Sequence, residues 1–192
     1  EIVTPDAVSI LPELIHQFDQ PFGDSSAIPT YYLAKMTKQF VKVALNGDGG
    51  DESFAGYRRY RQEQILAWYS VLPESLRRRV MSPLLDASAR QTFQTRFPRF
   101  DDVFFRRARY IHNLSLQPRD AQYIKRLSIF TSQQKLEIYS EELRQRFAAR
   151  DSIAYMRQFF QAENADDFLD KMLYADVSSY LPGDLLVKVD RM

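Results

Sequence analysis

Apolar residues at Val8, Leu11, Leu14, Ile15 and Phe18 recur at a spacing of three to four, which predicts an amphipathic helix with one buried stripe. Thr4 can accept a backbone N–H at its N-cap, and Pro5 suits the first helical position, where a missing donor costs nothing. The run from Asp19 to Ser26 is too rich in turn formers for regular structure. There Asp24, Ser25 and Ser26 can cap the next helix, and the same hydroxyls can face a phosphate at its N-terminus. Residues 28–40 read as a helix with Tyr31, Tyr32, Leu33, Met36 and Phe40 on its apolar side. Val41 to Leu45, β-branched and apolar around Lys42, reads as a strand of a parallel sheet.

A glycine-rich turn follows that strand. Asn46-Gly47-Asp48-Gly49-Gly50-Asp51-Glu52 combines residues free to take positive φ with three carboxylates. Oxygen ligands of this kind suit a hard cation such as Mg²⁺ whose shell phosphates complete. Helix, loop, helix, strand, glycine turn and helix form one step of an α/β fold, where ligands sit beyond the carboxyl ends of strands. With one clear strand in view, the neighbouring strands of the sheet are expected in sequence outside this chain.

Beyond Tyr57 the pattern is helical throughout. Leu76–Ala89, Val103–Leu116, Arg119–Leu127, Gln133–Phe147, Ile153–Gln161 and Asp166–Leu181 carry helical apolar spacing with short connections. Thr131 and Gln134 fit a capping box. Phe93, Phe97, Phe100, Phe104 and Phe105 are expected to build core between helices. A Pro182-Gly183 break is expected before a last apolar run that ends at Met192. The chain thus divides into a partial α/β core, residues 1–60, and a helical lobe, residues 61–192.

Composition narrows the function classes. The 192 residues contain no cysteine, which removes disulfides, thiolate metal sites and cysteine nucleophiles. No apolar run of about 18 residues is present and the N-terminus lacks a leader pattern, so the expected address is cytoplasmic and no membrane partner is expected. Net charge is +1, yet the segment from Tyr57 to Tyr110 holds twelve arginines against five acids, a local +7. Helical arginines of this sort more commonly form a solvated face or pair locally than bind nucleic acid, and no RNA-binding motif accompanies them. His16 and His112 stand alone and are read as structural.

Three separated motifs resemble one family. Phe22-Gly23-Asp24-Ser25-Ser26-Ala27-Ile28-Pro29-Thr30-Tyr31, then Leu45 to Glu52 with Gly56-Tyr57-Arg58-Arg59-Tyr60, and finally Tyr180-Leu181-Pro182-Gly183-Asp184-Leu185-Leu186-Val187-Lys188-Val189-Asp190-Arg191-Met192 resemble the synthetase domain of glutamine-hydrolysing asparagine synthetases. The resemblance implies a fragment, mostly α with one or few parallel strands, of an α/β adenine-nucleotide-hydrolase-like (ATP pyrophosphatase) domain. It implies a ligase that adenylates the side-chain carboxylate of aspartate with ATP and transfers glutamine-derived ammonia, giving asparagine, AMP and pyrophosphate. Asp51 would hold Mg²⁺, Asp48 would stand near the acyl-adenylate as the catalytic carboxylate, and Asn46, Gly47, Gly49 and Gly50 would meet ATP. Ser25 and Ser26 would line the pyrophosphate side, and Glu52 would support the turn.

Family members often carry serine at the place of Asn46, and Leu and Gly at those of Ser53 and Ala55. The family's Ser-Gly-Gly-x-Asp-Ser pyrophosphate loop and its glutaminase domain would precede residue 1, so the fragment alone is expected to make no asparagine. That glutaminase domain is the expected partner, and a homodimer is compatible with the resemblance. Two other readings remain open: a related amidotransferase acting on another carboxylate, and a non-catalytic helical interaction module.

Overall fold

A computed structural model describes residue 4 and residues 6–88, 102–147 and 152–192. The chain forms two compact units: one joins the residues up to Gly56 with Leu173–Met192, the other comprises Tyr57–Met172. The terminal motif, assigned from the sequence to the helical lobe, packs with the first unit.

In that unit, α1 (Ala7–Phe18) is capped by Asp6 rather than Thr4, its carboxylate accepting from the N–H groups of Val8 and Ser9 at 3.2 Å each. Ile10, Leu14 and Phe18 are buried, whereas Val8, Leu11 and Ile15 are exposed, so the single stripe expected from the sequence is two apolar faces. The buried face follows the ridge of every fourth residue, which packs with Ala27 and Tyr31 of α2 (Ala27–Thr37). Phe18 stacks on Phe22 at 4.1 Å, and Val187 and Met192 pack against the same core. The terminal helix Leu186–Arg191 is thereby fixed to the N-terminal pair.

Val41–Leu45 is not a strand, and none occurs among the described residues. A strand exists only through a ladder partner, and no described segment supplies one. Val43 and Leu45 are instead 80% and 99% exposed. The expected Pro-Gly break is absent as well: Asp176–Leu185 is a π-helix that runs directly into Leu186–Arg191. Proline lacks a donor and crowds the turn before it, and the wider π turn accommodates Pro182.

The second unit is helical. Arg58–Ser70 leads to Glu74–Leu76, which passes through a π-helical stretch, Arg77–Met81, into Ser82–Ser88; Asp102–Ser115 and Arg119–Leu127 follow. The run read as one helix from Gln133 to Phe147 is two, Ser132–Ile138 and Glu141–Phe147, because Tyr139 turns extended (ψ 135°). The capping box forms as expected, with Gln134 N–H donating to Thr131 Oγ1 and Thr131 N–H to Gln134 Oε1. Tyr123 is fully buried between a parallel Tyr60 ring at 6.5 Å and an edge-on Phe160 at 5.7 Å.

Several arginines of the basic segment do pair locally. Arg77 donates to the carbonyls of Leu72 and Ser115, at the ends of two helices, and Arg109 donates to Leu85 O at 2.6 Å. Phe93, Phe97 and Phe100 lie outside the described residues. Phe104 is exposed, contrary to its expected core role, and makes an edge contact with Phe105 at 5.6 Å. His112 is buried, with Tyr69 Oη at 2.8 Å from Nδ1 and Ser82 Oγ at 2.7 Å from Nε2. His16 is exposed. No helix among the described residues is long and apolar enough to cross a membrane.

Candidate functional site

The glycine turn is built by its own side chains. Asn46 Nδ2 donates to the Asp48 carboxylate at 2.8 Å, while Asn46 Oδ1 accepts the Asp48 N–H at 3.2 Å. This reciprocal Asx pairing needs an amide, which donates and accepts at once; a serine there would supply one hydroxyl for both jobs. Gly50 N–H closes on Gly47 O at 3.2 Å, and Gly49 has φ +92°, a region where a side chain is strained. From that glycine starts α3 (Gly50–Phe54), with Asp51 and Glu52 in its first turn. Glu52 is buried, 1% exposed, while Asn46, Gly47, Asp48 and Asp51 are exposed.

The turn sits on the terminal motif. Leu181 methyl carbons lie 3.6 and 3.9 Å from where a Cβ on Gly49 would be, and α3 packs against the π-helix Asp176–Leu185. One turn further on, Lys188 is 7% exposed and donates to Asp24 Oδ2 at 2.9 Å and to Ser26 Oγ at 2.7 Å. Ser26 N–H and Oγ in turn both donate to Asp24, which draws the serine hydroxyl away from capping α2. Burial alone would raise the Asp24 carboxyl, but the bonds from Ser26 and Lys188 prevail and hold it below its ordinary value. Asp184, one turn before the lysine, is pushed up by burial and by the Asp24 charge.

Of the residues picked out from the sequence, Asn46, Gly47, Asp48, Gly49, Gly50 and Asp51 share this turn, and Ser25 and Ser26 belong to the same unit. Ser26 is held by Asp24 and Lys188; Ser25 is exposed. Lys188 and Asp184 were not assigned roles from the sequence, and Asp24 was read there only as a helix cap. The available signal was a lysine inside the apolar run Leu185–Val189, since a buried ammonium requires a counter-charge.

Among the described residues, no group of three or more His, Cys, Asp or Glu side chains is arranged to hold a metal. Asp51 alone fits one position in the shell of a Mg²⁺ ion, which typically takes one or two carboxylates with waters and substrate phosphates. Its carboxylate is exposed and is a hard oxygen donor, so the chemistry of the residue and the ion agree.

The glycine turn, the short helix that follows it and the lysine-bearing terminal motif thus lie together in one compact unit. The asparagine synthase family profile matches residues 1–192, and the chain belongs to that family. It is similar to "Asparagine synthetase (glutamine-hydrolyzing) 1" of Bacillus subtilis strain 168, with 28% identity covering all of this chain and 28% of the relative. It is also similar to "Putative asparagine synthetase (glutamine-hydrolyzing)" of Mycobacterium bovis, with 29% identity over the whole chain and 27% of that protein. A 60-residue stretch is 45% identical to "Putative asparagine synthetase (glutamine-hydrolyzing) 2" of Methanocaldococcus jannaschii, covering 31% of this chain and 12% of the relative. The chain therefore spans little more than a quarter of the length of the first two. No solved structure matches it significantly.

Proposed function

We propose that this chain supplies half of the synthetase site of an ATP-dependent, amide-forming ligase, an asparagine synthase that adenylates aspartate and passes the activated carboxyl to ammonia derived from glutamine. The observation that carries the reading is the gathering of three sequence-distant motifs in one unit: Asp24 and Ser26, the Asn46–Glu52 turn, and the Leu181–Lys188 stretch. Membership of the asparagine synthase family supports the same conclusion.

In this reading the backbone of Asn46, Gly47, Gly49 and Gly50 approaches ATP closely because no side chain stands in the way. Asn46 holds the Asp48 carboxylate in place, where it orients ammonia or takes its proton as the amide forms. Lys188 spends two of its three donors on Asp24 and Ser26, leaving the third for a phosphate oxygen on the Ser25–Ser26 side. Asp51 is one ligand of Mg²⁺, which when bound offsets the charge that builds on the departing pyrophosphate. The remaining phosphate contacts and the ammonia supply belong to a pyrophosphate loop and a glutaminase domain elsewhere in the protein.

Substrate-dependent ATP–pyrophosphate exchange by the intact protein tests this reading, with aspartate set against glutamate, sugar acids and peptides. Exchange driven by aspartate supports it. Exchange driven only by another carboxylate would redirect it to a related amidotransferase, and none with any carboxylate would remove the adenylation role.

A further inference from the structure

We propose that the helical unit carries a ligand site of its own, a receptor for a small α-amino or α-hydroxy carboxylate, in the cavity of about 190 Å³ lined by Glu63, Ala67, Ser70, Val71, Arg119 and Gln122. None of these residues belongs to the unit that holds the glycine turn.

Arg119 is the recognition group. Its Nε donates to Glu63 Oε1 at 3.0 Å, and its guanidinium lies 4.0 Å over the Phe168 ring. These two contacts fix the plane of the fork, while its terminal NH₂ groups find no acceptor among the described residues. A guanidinium oriented in advance in this way is suited to a bidentate carboxylate, because little rotamer entropy is left to lose. The charge balance agrees: the other Glu63 oxygen accepts from Arg126 at 2.7 Å, so one buried carboxylate faces two guanidiniums and the site keeps one positive charge.

Gln122 supplies the second requirement. It is 2% exposed, its Nε2 donates to Gln117 O at 2.7 Å, and its Oε1 is buried without a donor among the described residues. An unmet buried acceptor is destabilising, and a ligand N–H or O–H would satisfy it. A carboxylate for Arg119 and a donor for Gln122 within one small cavity are met together by an amine or hydroxyl on the carbon next to the carboxylate. Ala67 and Val71 line the apolar side and suit a short aliphatic substituent.

Calorimetric titration of the intact natural protein that carries this sequence tests the site, with alanine, lactate, acetate and inorganic phosphate as probes. Alanine and lactate should bind at one site per chain, with acetate and phosphate weaker by about tenfold or more, the worth of one hydrogen bond to a charged or buried partner. Arg119→Lys and Gln122→Met should each weaken alanine by about the same factor. Should Arg119→Lys fail to fold, the probe ranking and Gln122→Met still decide. The proposal is overturned by alanine binding no better than acetate or phosphate, by no saturable binding, or by an affinity that Gln122→Met leaves unchanged.

Discussion

Gly56 lies directly against the side chain of Asp51: a Cβ built at position 56 would overlap Asp51 Oδ1 and stand 3.1 Å from Asp51 Cα. The glycine after α3 is thus what leaves room for the carboxylate five residues earlier. Its own N–H donates to Asp51 O at 3.0 Å, following Ala55 in the left-handed region at φ +58°. Gly56→Ala should turn the carboxylate aside and raise the Mg²⁺ concentration needed for half-maximal exchange several-fold. Because the crowding falls mainly on a side-chain terminus, unfolding free energy should drop by only about 1 kcal/mol. Mg²⁺ titration of exchange alongside denaturant unfolding separates the two effects.

Lys188 holds together Asp24 and Ser26 from the other end of the chain. Lys188→Met keeps the length of the side chain but leaves Asp24 without its cation beside Asp184. For this partly buried pair the cost should be about 2 kcal/mol, below that of a fully buried one. Exchange activity should fall at least tenfold even at temperatures where the variant remains folded, read by assay and melting on the same samples.

Asp24 and Asp184 impose opposite pH dependences. Asp24 has a folded value below its unfolded one, so its contribution is present at neutral pH and lost as pH falls through the folded value. Asp184 has a raised folded value: its penalty is present at neutral pH and relieved as pH falls toward the unfolded value. Asp184→Asn should therefore melt higher than the parent at pH 7, with the difference shrinking toward pH 4. Melting curves across that range check the sign.

His112 gives the helical unit a separate acid sensitivity. Burial, reinforced by the Arg77 charge, lowers its folded value below the ordinary 6.5. The unfolded chain then binds the proton more readily, so stability is full above about 6.5 and declines as pH falls below it. His112→Gln should lower stability at pH 8, where the Tyr69 and Ser82 hydroxyls lose their ring partner, and should flatten the profile between pH 7 and pH 5. Denaturant unfolding at several pH values measures both.

Much of the site was legible in the sequence because glycines and carboxylates reveal a turn without tertiary information. The Asn46–Asp51 turn and the Thr131 capping box both rest on contacts a few residues apart. What depended on distant partners was harder to read. Val41–Leu45 has strand composition, but pairing is a property of two segments, and no described segment pairs with it. The two apolar faces of α1 share one helical spacing, and only the position of α2 decides which is covered. Lys188 was part of a familiar motif, yet its tie to Asp24 spans 164 residues and no periodicity announces it. Pro182-Gly183 signalled a break by local rules, and the π-helix absorbed it.

Aspartate-dependent ATP–pyrophosphate exchange by the intact protein, compared between the parent and Asp51→Ala, tests the central claim most directly. Asp51 is exposed, so its loss should leave the melting temperature within a degree or two of the parent, as is usual for surface substitutions. Exchange should nonetheless fall by about a hundredfold or more, as expected when a charge-stabilising group leaves an adenylating site. Undiminished exchange in a folded Asp51→Ala protein would contradict the account and reduce the Asn46–Glu52 turn to a structural loop.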